Sequence, residues 1–235
     1  MSAWAIVAAA GQGSRLGVGP KAFARLGGSA MVAHSLVAFA KAPGIDAIVL
    51  VVPAGFEDEA RSVASSAVPA ARVEVVTGAQ TRRASVHAGL AAVPADVDRV
   101  VVHDAARPLV SVALIEAVLD ALDHSVGAVA AVAESDTLKR ATQEHSADRP
   151  FVTETVPRAG LWRAQTPQAF HAATLRLAHA RAAAEAYEAT DDAVLLERAG
   201  ERVALVPGDE RNLKVTTPDD LALAERLLDA ARGGA

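Results

Sequence analysis

Near the start of the chain, Gly11 and Gly13 stand beside Arg15, and Lys21 follows Pro20. The apolar run Ala5 to Ala10 directly precedes them, so the group leaves the end of an expected buried strand. Glycines bring backbone N–H groups close to a polyanion without Cβ interference, and the two cations supply charge that backbone dipoles lack. The chemistry this spacing suits is that of nucleotide phosphates. A Walker A loop is excluded because Lys21 follows proline and precedes Ala22. A dinucleotide fingerprint is disfavoured as well: Leu16 stands where its third glycine belongs, and the second strand ends Val51-Val52-Pro53 with no acidic residue.

The remaining pattern supplies the frame for that loop. Strands are expected at Ala5 to Ala10, Ile45 to Val52, Val73 to Val76, Arg99 to His103, Ala128 to Val132 and Arg202 to Val206. Helical spacing runs over Met31 to Lys41, Arg83 to Val93, Val112 to Leu122, Ala173 to Glu185 and Pro218 to Ala231, the last with Asp219 and Asp220 in its first turn. Thr190 is placed to cap a helix from Asp191 to Arg198. Strand and helix in alternation predict a three-layer αβα, Rossmann-like, mostly parallel sheet in one domain over residues 1–235. Ligands of such sheets bind beyond the carboxyl ends of the strands, so the loops after Ala10, Val76 and His103 should meet in one crevice. Residues 134–157 break the alternation, with a polar run from Gln143 to Arg149 and a β-type stretch from Phe151 to Val156. They are expected to form a projecting β-arm that packs on a second copy of the chain.

The chain has 235 residues, 51% of them hydrophobic, which is enough to bury a large core. A formal charge of −5 without a long basic run argues against nucleic-acid binding. The absence of cysteine excludes disulfides and thiolate catalysis and suits a reducing compartment. No stretch of about 18 apolar residues suggests a membrane span, and the N-terminal run lacks the basic start of a signal peptide. A cytoplasmic protein is expected.

The opening loop with Pro20-Lys21 resembles the signature of nucleotidyltransferases that join a sugar or polyol phosphate to a nucleoside monophosphate. Further blocks narrow the resemblance: Gly78 with Arg82-x-x-Ser85-Val86, His103-Asp104-Ala105-Ala106-Arg107-Pro108, Asp136-Thr137-x-Lys139, Arg158-x-Gly160-Leu161-Trp162-x-x-Gln165-Thr166-Pro167-Gln168, Thr190-Asp191-Asp192 and Asn212-x-Lys214. In this order, over nearly the whole length, they resemble the 2-C-methyl-D-erythritol 4-phosphate cytidylyltransferases. The chain departs from that pattern at Ala22, Ala79 and Gln80.

The resemblance implies CTP as the nucleotide and Mg2+ as cofactor. It implies that Ala9, Ala10, Gly11 and Gly13 contact the nucleotide, that Arg15, Lys21 and Lys214 neutralise phosphates, and that Gly78 and Ser85 read the base and ribose. Asp104 is implied as the carboxylate near the metal and ribose, beside Ala105. Arg107, Thr166, Thr190 and Lys214 are implied on the acceptor side, with Thr137 and Arg158 contributed by the arm of a homodimer partner. Thr166, extended before Pro167, is expected to present a free hydroxyl to the ligand. His103 reads only as a polar residue at a strand end.

A phosphate monoester is already ionised at neutral pH, so its attack on the α-phosphate of CTP needs no general base. That fits a chain with no Ser-His or Cys-His arrangement. The barrier is instead the approach of two anions and the charge that builds as pyrophosphate leaves. Two other readings stay open on sequence: a cytidylyltransferase for ribitol 5-phosphate or another polyol phosphate, and a non-catalytic nucleotide-binding module.

Overall fold

In the computed structural model, which describes residues 2–11, 19–142 and 149–233, the most apolar segments lie side by side as strands. In chain order the elements are β1 (Ala3–Ala8), the two-residue strands β2 (Arg25–Leu26) and β3 (Ser29–Ala30), α1 (Met31–Lys41), β4 (Ile45–Val52), α2 (Glu57–Ala67), β5 (Val73–Thr77), α3 (Arg82–Ala92) and β6 (Arg99–Asp104). They continue with α4 (Val112–Asp120), β7 (Gly127–Ala133), β8 (Leu138–Ala141), β9 (Val152–Val156), β10 (Trp162–His171), α5 (Ala172–Ala184), α6 (Ala193–Arg198), β11 (Val203–Pro207) and α7 (Pro218–Gly233).

The main sheet has seven strands in the order β11-β7-β10-β6-β1-β4-β5. All neighbours pair in parallel except β10, which runs antiparallel to both β6 and β7. The near-continuous apolar runs of β4 and β6 follow from burial on both faces. Alternation along β1 sorts the core: Ala3, Ala5 and Val7 pack with α1, α2 and α4, whereas Trp4 and Ile6 pack with α3, α5 and α6. This is the expected mostly parallel three-layer sheet, with helices on each face. A smaller cluster of Leu26, Met31, Val215 and Ala224 joins α7 to the β2–β3 hairpin.

Helix α3 lies close to the sheet because Gly89 has no side chain: a Cβ there would come 2.7 Å from Val51 Cγ2 and 2.8 Å from Ile6 Cγ2. That closeness brings the first turn of α3 to the crevice. Thr81 caps the helix, its hydroxyl accepting from Ala84 N–H at 3.2 Å.

Strand β10 and helix α2 have no counterpart in the sequence pattern. In β10 the apolar alternation is interrupted by Gln165, Thr166 and Gln168, all buried because their polar atoms have protein partners. The first strand occupies Ala3–Ala8 rather than Ala5 to Ala10, and Ala9 turns away to donate to Val51 O. Thr190 does not cap a helix; α6 begins at Ala193, and Asp191 Oδ1 accepts from Val194 N–H at 3.2 Å. A carboxylate serves the helix N-terminus as well as a hydroxyl does, so the cap moved one residue along. Strands β8 and β9 pair with each other in a separate two-stranded sheet.

Candidate active site

Four strand-to-loop exits open on the same side of the sheet. Ala9 N–H donates to Val51 O at 2.8 Å, Gly78 N–H to Val52 O at 2.7 Å and Ala105 N–H to Ala8 O at 3.0 Å. The loops therefore leave in register with the strands and converge as expected. Between them lies a cavity of about 540 Å³, with Ala9 to Gly11, Lys21, Gly78, Ser85 and Ala105 in its wall. Gly13 and Arg15 lie outside the described residues.

Backbone rather than side chain shapes the wall opposite the opening loop. A Cβ on Gly78 would stand 2.5 Å from Ala10 Cβ, too close for any side chain. Ser85 is buried; its hydroxyl accepts from Ala79 N–H at 2.9 Å and has Ala79 O and Thr81 O as its alternative acceptors. It braces the 78–81 loop. Ala79 itself has no positive φ, so alanine fits there without strain.

A second cavity, of about 220 Å³, adjoins the first and has Arg107, Thr166, Gln168 and Thr190 in its wall. Arg82, Asp104 and Lys214 line both. Asp104 sits between two cations: Arg82 Nε donates to Oδ1 at 3.0 Å and Lys214 Nζ to Oδ2 at 2.7 Å. Burial opposes its charge, but Arg82 and Lys214 together hold the carboxyl far below the usual carboxylate range. Burial likewise opposes the charge of Arg82, yet Asp192 and Asp104 raise its pKa. Val215 N–H donates to Ala106 O at 2.8 Å and so ties the Lys214 segment to the loop after β6.

Arg107 is anchored by carbonyls, its Nη1 donating to Asn212 O at 2.8 Å and its Nη2 to Ala164 O at 3.4 Å. The hydroxyl of Thr166 is not free. It accepts from Asp104 N–H at 3.0 Å and donates to His103 Nδ1 at 3.1 Å, in a residue only 4% exposed. His103 Nε2 then donates to Arg107 O at 3.0 Å. Burial pushes His103 down to about 4, against the pull of the nearby Asp104 charge, so the ring is neutral at pH 7. It is the polar residue at a strand end that the sequence suggests, and it also joins Thr166 to the Arg107 loop.

Thr137 and Arg158 are exposed and line neither cavity; Arg158 Nη1 donates to Ser135 O. Among the described residues no group of three or more His, Asp or Glu side chains could hold a metal ion. Sequence reasoning gave no role to Arg82, Asp192, His179 or Asn212. The spacing Arg82-x-x-Ser85 was visible, but the two partners of Arg82, Asp104 and Asp192, stand 22 and 110 residues further on, beyond any local signal.

A family model described as "IspD: 2-C-methyl-D-erythritol 4-phosphate cytidylyltransferase" matches residues 3–230. The chain belongs to the 2-C-methyl-D-erythritol 4-phosphate cytidylyltransferase family. It is 46% identical to the protein of that name from Deinococcus radiodurans over 230 residues, covering 98% of this chain and 91% of the relative. The crystal structure of the enzyme of the same name from Thermus thermophilus superposes with a TM-score of 0.78 at 34% identity, covering 97% of this chain and 98% of the other. The 4-diphosphocytidyl-2C-methyl-D-erythritol synthase from Anaerococcus prevotii gives 0.84 at 28% identity, covering 97% and 98%. The cytidylyltransferase fold thus spans both cavities and the mixed sheet that frames them.

Proposed function

We propose that this protein transfers CMP from CTP to 2-C-methyl-D-erythritol 4-phosphate, releasing pyrophosphate. The observation that carries the reading is the pair of adjoining cavities that meet at Arg82, Asp104 and Lys214. The larger takes the nucleotide. Backbone around Ala9, Ala10 and Gly11 approaches its phosphates, Lys21 and Lys214 neutralise them, and the 78–85 segment with Ala105 holds the base and ribose; Gly13 and Arg15, outside the described residues, are assigned to the same phosphates. The smaller takes the polyol phosphate against Arg107 and Thr190, with Thr166 in its wall.

An ionised oxygen of the acceptor phosphate attacks the α-phosphorus of CTP. The new P–O bond forms as the bond to the β-phosphate bridging oxygen breaks, and that oxygen leaves with its electron pair on pyrophosphate. No proton need move. Two unit charges about 4 Å apart interact by roughly 4 kcal/mol at an effective dielectric near 20, so each correctly placed cation matters.

Mg2+ commonly takes one or two carboxylates together with substrate phosphates. Asp104 fits that donor set, since its oxygens accept from Arg82 and Lys214 among the described residues and a carboxylate has about four lone-pair sites in all. The ion would supply further charge neutralisation at the phosphates.

The exposed Phe151 and Val152 on the β8–β9 hairpin support a homodimer in which Thr137 and Arg158 reach the partner's acceptor cavity. Among the described residues no helix is long and apolar enough to cross a membrane, and the reading places the enzyme in the cytoplasm with its CTP supply.

Pyrophosphate release with CTP and Mg2+ tests the proposal, with 2-C-methyl-D-erythritol 4-phosphate and ribitol 5-phosphate offered in parallel. Preference for the branched acceptor is expected. Preference for ribitol 5-phosphate would reassign the acceptor, and CTP binding without release for either would leave a binding module.

A further inference from the structure

Asp192 lines neither cavity and is 1% exposed. A buried ion pair is by itself a weak source of stability, so a carboxylate so placed calls for another account. Its Oδ2 accepts from Arg82 Nη1 at 2.7 Å and its Oδ1 from Nε2 of the fully buried His179 at 3.0 Å. The other side of the Arg82 guanidinium, Nε, donates to Asp104 Oδ1 at 3.0 Å. Because that group is planar and rigid, fixing Nη1 also fixes the direction of Nε. His179 is itself confined on α5, with the His87 ring of α3 stacked on it at 5.8 Å between centroids.

We propose that Asp192, oriented by His179, is a positioning residue that acts through Arg82 to hold the Asp104 carboxylate where the nucleotide and acceptor cavities meet. The two carboxylates grip one guanidinium from opposite sides. Lys214 then approaches Asp104 only on Oδ2, its remaining oxygen. This rests on the CMP-transfer reading of the crevice, because the junction matters only if two substrates react there.

The test is a double-mutant cycle in the full-length protein, with pyrophosphate release measured for whichever polyol phosphate the wild type turns over. Asp192→Asn keeps the volume but presents an amide N–H to one of its two donor partners. It should lower kcat about 10- to 100-fold, the worth of one hydrogen bond to a charged group. KM for CTP and for the acceptor should move by less than about 3-fold, as expected for an interaction that matters in the transition state. In an Arg82→Met background the same substitution should change kcat no further. His179→Gln, which retains an N–H donor near the Nε2 position, should keep most of the activity that His179→Leu loses.

CTP-binding stoichiometry and melting temperature, measured on each variant, separate misfolded protein from misaligned protein. Additive losses in the cycle would overturn the positioning role, as would equal damage from His179→Gln and His179→Leu or a kcat loss fully matched by lost binding stoichiometry. A wild type that releases no pyrophosphate would overturn the CMP-transfer reading and this proposal with it. An active wild type with an additive cycle would overturn the proposal alone.

Discussion

Thr166→Val removes one hydroxyl while nearly keeping the side-chain shape. In the wild type that hydroxyl accepts the Asp104 N–H at 3.0 Å and donates to His103 Nδ1 at 3.1 Å, both contacts buried. Two neutral hydrogen bonds at about 1 kcal/mol each give a loss of roughly 2 kcal/mol, and the orphaned Asp104 N–H adds to it. For a chain of this size that is a fall in melting temperature of about 4–8 °C. Urea titration should show a lower midpoint at unchanged slope, the signature of lost stability without a change in the surface exposed. Turnover should fall as well, since the Asp104 backbone is held by this bond, whereas Thr166→Ser should restore both. A valine variant as stable as wild type but with a greatly raised KM for the acceptor would refute the reasoning. It would mean that the hydroxyl faces the substrate after all.

Lys21→Ala, in the wall of the larger cavity, should lower kcat about 100-fold while leaving the fold intact, because charge at the phosphates is lost; near-wild-type turnover would remove its role. His103 is held neutral, with its folded pKa pushed from 6.5 to about 4. The unfolded chain therefore binds more protons between those values, so this contribution is complete above about pH 6.5 and is lost as pH falls towards 4. Urea midpoints measured from pH 7.5 down to 4.5 should show that decline, and His103→Gln should flatten it. Phe151→Ser with Val152→Ser should convert a dimer to a monomer by analytical ultracentrifugation and raise KM for the acceptor; an unchanged sedimentation coefficient for a dimeric wild type would place the interface elsewhere.

The parts of this protein legible in its sequence are those whose physics is local. A doubly buried strand has to be apolar throughout, so β4 could be read off Ile45 to Val52 without its neighbours. Helical spacing likewise placed α1 at Met31–Lys41. The crevice was legible because parallel connections bring all loops that follow strands to one side, and Lys21, Gly78, Ser85 and Asp104 stand on such loops or beside them.

Strand β10 escaped for the opposite reason. Its Gln165-Thr166-Pro167-Gln168 segment looks like a polar loop, and it becomes a buried strand only because Asn212, Asp209, Asp191 and Asp104 supply hydrogen-bond partners from elsewhere. The same holds for Thr166, whose hydroxyl looks available in sequence and is consumed in the fold. Residue types and their order along the chain determine which groups leave the sheet together, and so the class of chemistry. Which carboxylate faces which cation depends on pairs such as Arg82 with Asp192 and Asp104 with Lys214, each 110 residues apart. Only tertiary packing brings such groups within reach, because their attraction is screened beyond about 10 Å and leaves no periodicity along the chain.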